Sequence, residues 1–138
     1  MTNSSLARSY LKKAVSRLKV LPVLYGDGAY SDVVREAQEI VELALKGMLR
    51  QIGVEPPKWH DVGILLIEHE NRFSFRVRKR IPRIAKSSKW LRRERELSFY
   101  GDIDFIPTDE YTSHDARTAI RDAKFIVQTA HWVIGELP

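Results

Sequence analysis

The residues with the most chemical potential in this chain are cations. Between Arg72 and Arg95 stand eleven Lys and Arg residues and one acid, Glu94, so this segment alone carries +10 while the remainder of the chain carries −5. Arg76, Lys79, Arg80, Arg83, Lys86, Lys89 and Arg92 make up its body. A basic stripe on an otherwise acidic chain is the electrostatic footprint of a polyanion partner. The same charges also suit a solvated helix face or ion pairs with neighbouring acidic helices. A second group is Lys58 and His60, which flank Trp59 ahead of an apolar run. A base or ribose could stack on the indole beside these cations; a Trp at that place also serves as a packing plug between helices.

Other chemistries lack their residues. There is no cysteine, which removes disulfides, thiolate metal sites and cysteine nucleophiles. The four histidines (His60, His69, His114, His131) have no metal-ligand spacing. Neither a phosphate-binding loop, nor a dinucleotide fingerprint, nor a nucleophile elbow occurs. We therefore expect no metal and no cofactor.

The elements that must position these residues read as helices. Leu6, Ala7, Tyr10, Leu11, Ala14, Val15, Leu18 and Leu21 form one apolar stripe over 4–21, which Pro22 and Gly26-Asp27-Gly28 should stop. Val33 to Ile52 repeats that spacing over 31–52, with Ser31 as candidate N-cap and Gly53 as the stop. Shorter helices are expected over 61–70 and 74–80, and another over 82–99, followed by a loop through Gly101-Asp102 and Pro107. The last helix should begin near Ser113, where Thr112 and Asp115 have the spacing of a capping box. Its small residues Ala116, Ala119, Ala123 and Ala130 would let another helix approach closely. No segment alternates as a strand does. The expectation is one all-α domain over 1–138, an antiparallel bundle of five to six helices. With no signal peptide evident and no apolar run of membrane length, a cytoplasmic protein is expected.

The run from Tyr30 to Arg50, the linker Pro57-Lys-Trp-His-Asp-Val-Gly63, the segment Arg93-Glu-Arg-Glu-Leu-Ser-Phe-Tyr-Gly-Asp102, Tyr111 and the stretch Ala116–Ala130 together resemble HEPN domains. That resemblance implies a helical bundle of the HEPN, nucleotidyltransferase substrate-binding-like, type. It implies a homodimer, and a minimal nucleotidyltransferase as partner in a toxin–antitoxin-like pair. Catalytic HEPN domains resemble metal-independent ribonucleases whose signature is an Arg followed, after four to six residues, by a His. Aligned on Tyr100, the signature Arg matches Arg93 and the His matches Ser98. A serine hydroxyl cannot move a proton near neutral pH as imidazole does. The resemblance therefore leans away from an enzyme and towards a nucleotide- or RNA-binding module, with Arg93, Tyr100, Asp102, Lys58 and His60 as candidate ligand contacts. The alternatives are a divergent endoribonuclease using Arg93, Ser98 and Tyr100, or His60, and a purely protein–protein interaction module.

Overall fold

A computed structural model describes residues 3–56, 58 and 61–135. Trp59, His60 and Leu137 lie outside these residues. Four long helices carry the fold: α1 (Asn3–Leu18), α3 (Tyr30–Gln51), α6 (Ile81–Arg93) and α9 (Ser113–Ile134). Between them lie the short helices α2 (Leu21–Gly26), α4 (Val62–Glu68), α5 (Phe75–Arg78), α7 (Arg95–Phe99) and α8 (Pro107–Glu110), with a 3-10 turn at Glu70–Arg72. The chain is thus an all-α bundle, and among the described residues the sole extended pairing is an isolated bridge, Asp102 to Phe105.

The centre of the bundle is α3, because its apolar residues form one broad, unbroken face along its whole length. Val33, Val34, Ala37, Ile40, Val41, Ala44, Leu45, Met48 and Leu49 are all buried, and an apolar face that wide must be covered by more than one neighbouring helix. On one side α9 supplies Ala116, Ala119, Ala123 and Ala130, each fully buried, so the expected close approach is present. Gly47 serves the same purpose from α3: a Cβ there would sit 3.1 Å from Ile134 Cδ1 and 3.3 Å from the Ala7 carbonyl oxygen.

The helix directions follow from contacts at the helix ends. Asn3 of α1 meets Arg50 near the end of α3, and Arg92 of α6 meets Glu42 of α3 while Arg95 of α7, just beyond it, meets Glu39. Thus α1 and α6 run antiparallel to α3. Arg83 meets Asp122 and Arg80 meets Gln128, which makes α6 antiparallel to α9 as well. Arg117 reaches Tyr25, which packs on Tyr30 at the start of α3. The two most heavily packed helices, α3 and α9, therefore run the same way, with the shorter helices returning the chain between them.

Several boundaries differ from the sequence expectations. Pro22 opens α2 rather than ending the first helix, since proline is tolerated in a first turn where its missing N–H is not needed. Ser31 is not an N-cap: α3 starts a residue earlier behind Ala29, and Ser31 is buried inside its first turn. The expected helix over 82–99 breaks at Glu94, where ψ is −2°. Glu94 is held there by the Tyr111 hydroxyl, 3.1 Å away, and the break lays α7 against α3. The capping box at Thr112–Asp115 is present in both directions.

Candidate nucleic-acid interface

The basic run does not form one surface. Its first half, on α5 and α6, faces α9 and meets aromatic rings. The Arg76 guanidinium lies 4.4 Å from the Trp132 ring centre, Arg80 lies 3.9 Å from Trp132 and 4.2 Å from Phe125, and Arg83 lies 3.8 Å from Phe125. Guanidinium planes and ring faces thus alternate along the α6–α9 seam, each cation drawn to the negative face of a π system. Arg80 also donates to Gln128 Oε1 at 2.8 Å and to Thr129 Oγ1 at 3.2 Å. Burial, and then the like charges of Arg83 and Arg76, pull the Arg80 pKa below its usual value.

Arg80 can be tested alone. Its stack and its charged hydrogen bonds favour the fold, whereas its repulsion from Arg76 and Arg83 opposes it. Charged hydrogen bonds and partly buried cation–π contacts each contribute of order 1–2 kcal/mol, more than two screened surface repulsions. Arg80→Ala is expected to lose about 1–2 kcal/mol in a denaturant melt, with Arg80→Lys recovering less than half because ammonium lacks the planar face. An Arg80→Ala protein as stable as wild type would mean that repulsion wins.

The second half of the run turns the other way. Arg92 pairs with Glu42 at 3.4 Å, and Arg95 with Glu39 at 3.9 Å; Glu39 also holds Arg35 at 3.0 Å. These cations answer the acidic face of α3. The ion-pairing meaning of the stripe is thus realised by its second half, while the first half is held on the aromatic rings of α9. Lys79 stacks loosely on Phe75 at 5.3 Å, and Lys89 is exposed.

The Arg93–Asp102 segment sits at the end of α6 and around α7. Arg93 is 73% exposed with only a long contact, 3.9 Å, to Glu94. Tyr100 is 76% exposed and packs edge-on against Phe99 at 4.9 Å. The Asp102 carboxylate accepts the Ile103 N–H at 2.7 Å. Gly101, between them, has φ of +67°, and a Cβ there would strike the Phe105 carbonyl and the Pro107 ring; only glycine closes this turn. Ser98 behaves differently from its neighbours. It is fully buried, and its hydroxyl donates to the Arg95 carbonyl at 3.2 Å. Facing the core, it cannot join Arg93 and Tyr100 in one accessible cluster. Burial and the hydrogen bond to Glu94 push the Tyr111 pKa up, which keeps its hydroxyl neutral and donating. Lys58 is exposed in the loop before α4.

A contribution from α9 was missing from the sequence reading. A depression of about 510 Å³ is lined by Arg83, Lys86, Ser87 and Trp90 of α6 and by Thr118, Arg121 and Asp122 of α9. A second, about 490 Å³, is lined by Tyr25, His114, Arg117, Thr118, Ile120, Arg121 and Lys124. They share Thr118 and Arg121. The signal was present in the sequence as Arg117, Arg121 and Lys124, spaced four and three on the polar side of the last helix.

Residues 7–132 match the model of the HEPN domain. The chain belongs to the HEPN family. A Methanocaldococcus jannaschii protein described as a "Putative toxin" is 25% identical to it over 132 residues, covering 91% of this chain and 86% of that protein. Among the described residues no helix is long and apolar enough to cross a membrane, and no group of His, Asp or Glu is arranged to hold a metal ion.

Proposed function

We propose that this HEPN chain is a nucleotide- or RNA-binding module of the toxin–antitoxin kind, working in the cytoplasm as a homodimer beside a minimal nucleotidyltransferase. The observation that carries the binding reading over a ribonuclease reading is Ser98. Where a catalytic relative's imidazole would stand there is a hydroxyl turned into the core and spent on a backbone carbonyl. Arg93, by contrast, remains open to solvent, and its planar fork suits a phosphate. The toxin description of the archaeal relative supports the two-component setting. Exposed Phe99, Tyr100, Ile103 and Ile106 beside Arg93 support a protein-covered end, since clustered exposed apolar side chains mark contact surfaces. The paired Arg92 and Arg95 belong to the fold in this reading, and Arg76, Arg80, Arg83 and Lys86 to the anion-facing side.

The test is fluorescence anisotropy with labelled single-stranded RNA in EDTA, the same samples then being run on a denaturing gel. Salt-sensitive binding with intact RNA is the expected result. RNA that is cut by the wild type and spared by Arg93→Ala would replace this reading with that of an unorthodox nuclease.

A further inference from the structure

The two depressions along α9 adjoin at Thr118 and Arg121, and their joint lining is chemically one-sided. Five of its side chains are Arg or Lys: Arg83, Lys86, Arg117, Arg121 and Lys124. Its one acid, Asp122, is already spoken for by Arg83 at 3.2 Å and the Ser87 hydroxyl at 2.9 Å. Among the described residues, Lys86, Arg121 and Lys124 take part in no ion pair, and all three are exposed. Arg117 is steadied by the Tyr25 hydroxyl at 3.1 Å and the Ser113 hydroxyl at 3.0 Å, a neutral pair of partners that leaves its charge uncompensated.

The spacing is that of a track. His114, Arg117, Arg121 and Lys124 follow one another at three, four and three residues along one side of α9, a rise of about 15 Å from first to last. At about 3.4 Å per stacked nucleotide this matches roughly four or five phosphates. Aromatic side chains lie at two places along the groove, Trp90 from α6 and Tyr25 from α2, and bases of any sequence stack on such faces. Each depression has the volume of a single small-molecule site, so the groove accepts one strand.

We infer that the α6–α9 groove is a track for single-stranded RNA, with Lys86, Arg117, Arg121 and Lys124 on successive phosphates and Trp90 and Tyr25 beside the bases. This rests on the RNA reading proposed above and moves its centre: the strand lies along α9, away from the Arg93 end. It engages bases without reading them, so affinity depends on length and charge and little on sequence.

Besides Arg93→Ala, the experiment compares three proteins for binding of a labelled eight-nucleotide uridine RNA. These are the wild type, the double variant R121E/K124E in the groove, and the control K12E/K13E, which makes the same change of net charge on α1 at a depression with a separate lining. All four positions are exposed, and matching thermal melts check the fold. The expected result is a loss of more than tenfold for R121E/K124E and less than threefold for K12E/K13E. Equal losses would mean that net charge alone attracts RNA and would overturn the track. An unchanged R121E/K124E beside a weakened Arg93→Ala would also overturn it while leaving RNA binding at the α7 end intact. A wild type without affinity would remove both readings. Light scattering supplies the last arm: a change of oligomeric mass in R121E/K124E would make the groove a protein seam instead.

Discussion

Raising the salt from about 50 to about 200 mM is expected to weaken binding of single-stranded RNA roughly fiftyfold. The magnitude follows from counterion release. Each phosphate neutralised on a single strand contributes a slope of about −0.7 to the logarithm of affinity against the logarithm of salt. The track offers four Lys and Arg side chains to phosphates, Lys86, Arg117, Arg121 and Lys124, since Arg83 is paired with Asp122, which gives a slope near −2.8 and about 1.7 decades over a fourfold change in salt. A module that held only a mononucleotide on Arg93 would release one or two counterions and lose less than about tenfold over the same range. The slope therefore separates a nucleotide pocket from a strand-binding surface without any substitution. A slope shallower than about −1.5 would sink the strand. In R121E/K124E the slope should fall towards about −1.4, because two contacts are removed.

The chain shows what a single sequence carries and what it hides. The long helices were legible because α3 and α9 keep an unbroken apolar spacing over their whole length, and the Thr112–Asp115 box marks where α9 begins. Such signals are local. Ser31 misled because a serine ahead of an apolar run looks like a cap, yet α3 can bury that serine and begin at Tyr30, behind Ala29. The break at Glu94 was illegible, since nothing between residues 82 and 99 disfavours a continuous helix; it depends on Tyr111, seventeen residues away.

The same distinction separates the two halves of the candidate interface. A run of cations can be counted in the sequence, but the partner each one meets is a tertiary fact. Arg92 and Arg95 look no different from Arg80 and Lys86 on paper. Rotation about α6 and the turn into α7 send the former pair to Glu42 and Glu39 and the latter to the α9 side. Summed charge therefore overstated the stripe within 72–95 and overlooked α9, whose cations are diluted in sequence by the alanines and acids between them. Trp132 and Phe125 were hidden for a related reason. They stand off the apolar stripe of α9, so spacing gives no sign of what meets them, and both are partly buried under guanidinium groups.

Stability should be most sensitive at α3. Leu45→Ala is expected to cost about 3–4 kcal/mol, read as a fall in the urea midpoint with little change in slope. Leu45 is fully buried on the helix that touches α1, α9 and most of the shorter helices. Its removed methyl groups lose their transfer energy and also leave a cavity, which collapses only if a neighbour can move in. Close packing elsewhere on α3 limits how far the helices can shift to fill it. The α9 side is lined with alanines, which have no length to extend, and the close approach at Gly47 already fixes the α1–α3–α9 spacing. The cost should therefore lie in the upper part of the range known for such truncations, roughly 2–5 kcal/mol. Against a domain stability of about 5–15 kcal/mol that is a large fraction. Leu45→Met, which keeps the volume, should cost less than about 1.5 kcal/mol. A Leu45→Ala cost below about 1 kcal/mol would show that the bundle relaxes around α3, and that the small-residue faces of α9 do not hold the long helices at a fixed separation. The groove between α6 and α9 depends on that separation, so Leu45→Ala should also weaken RNA binding at temperatures well below its melting point only if the bundle does relax.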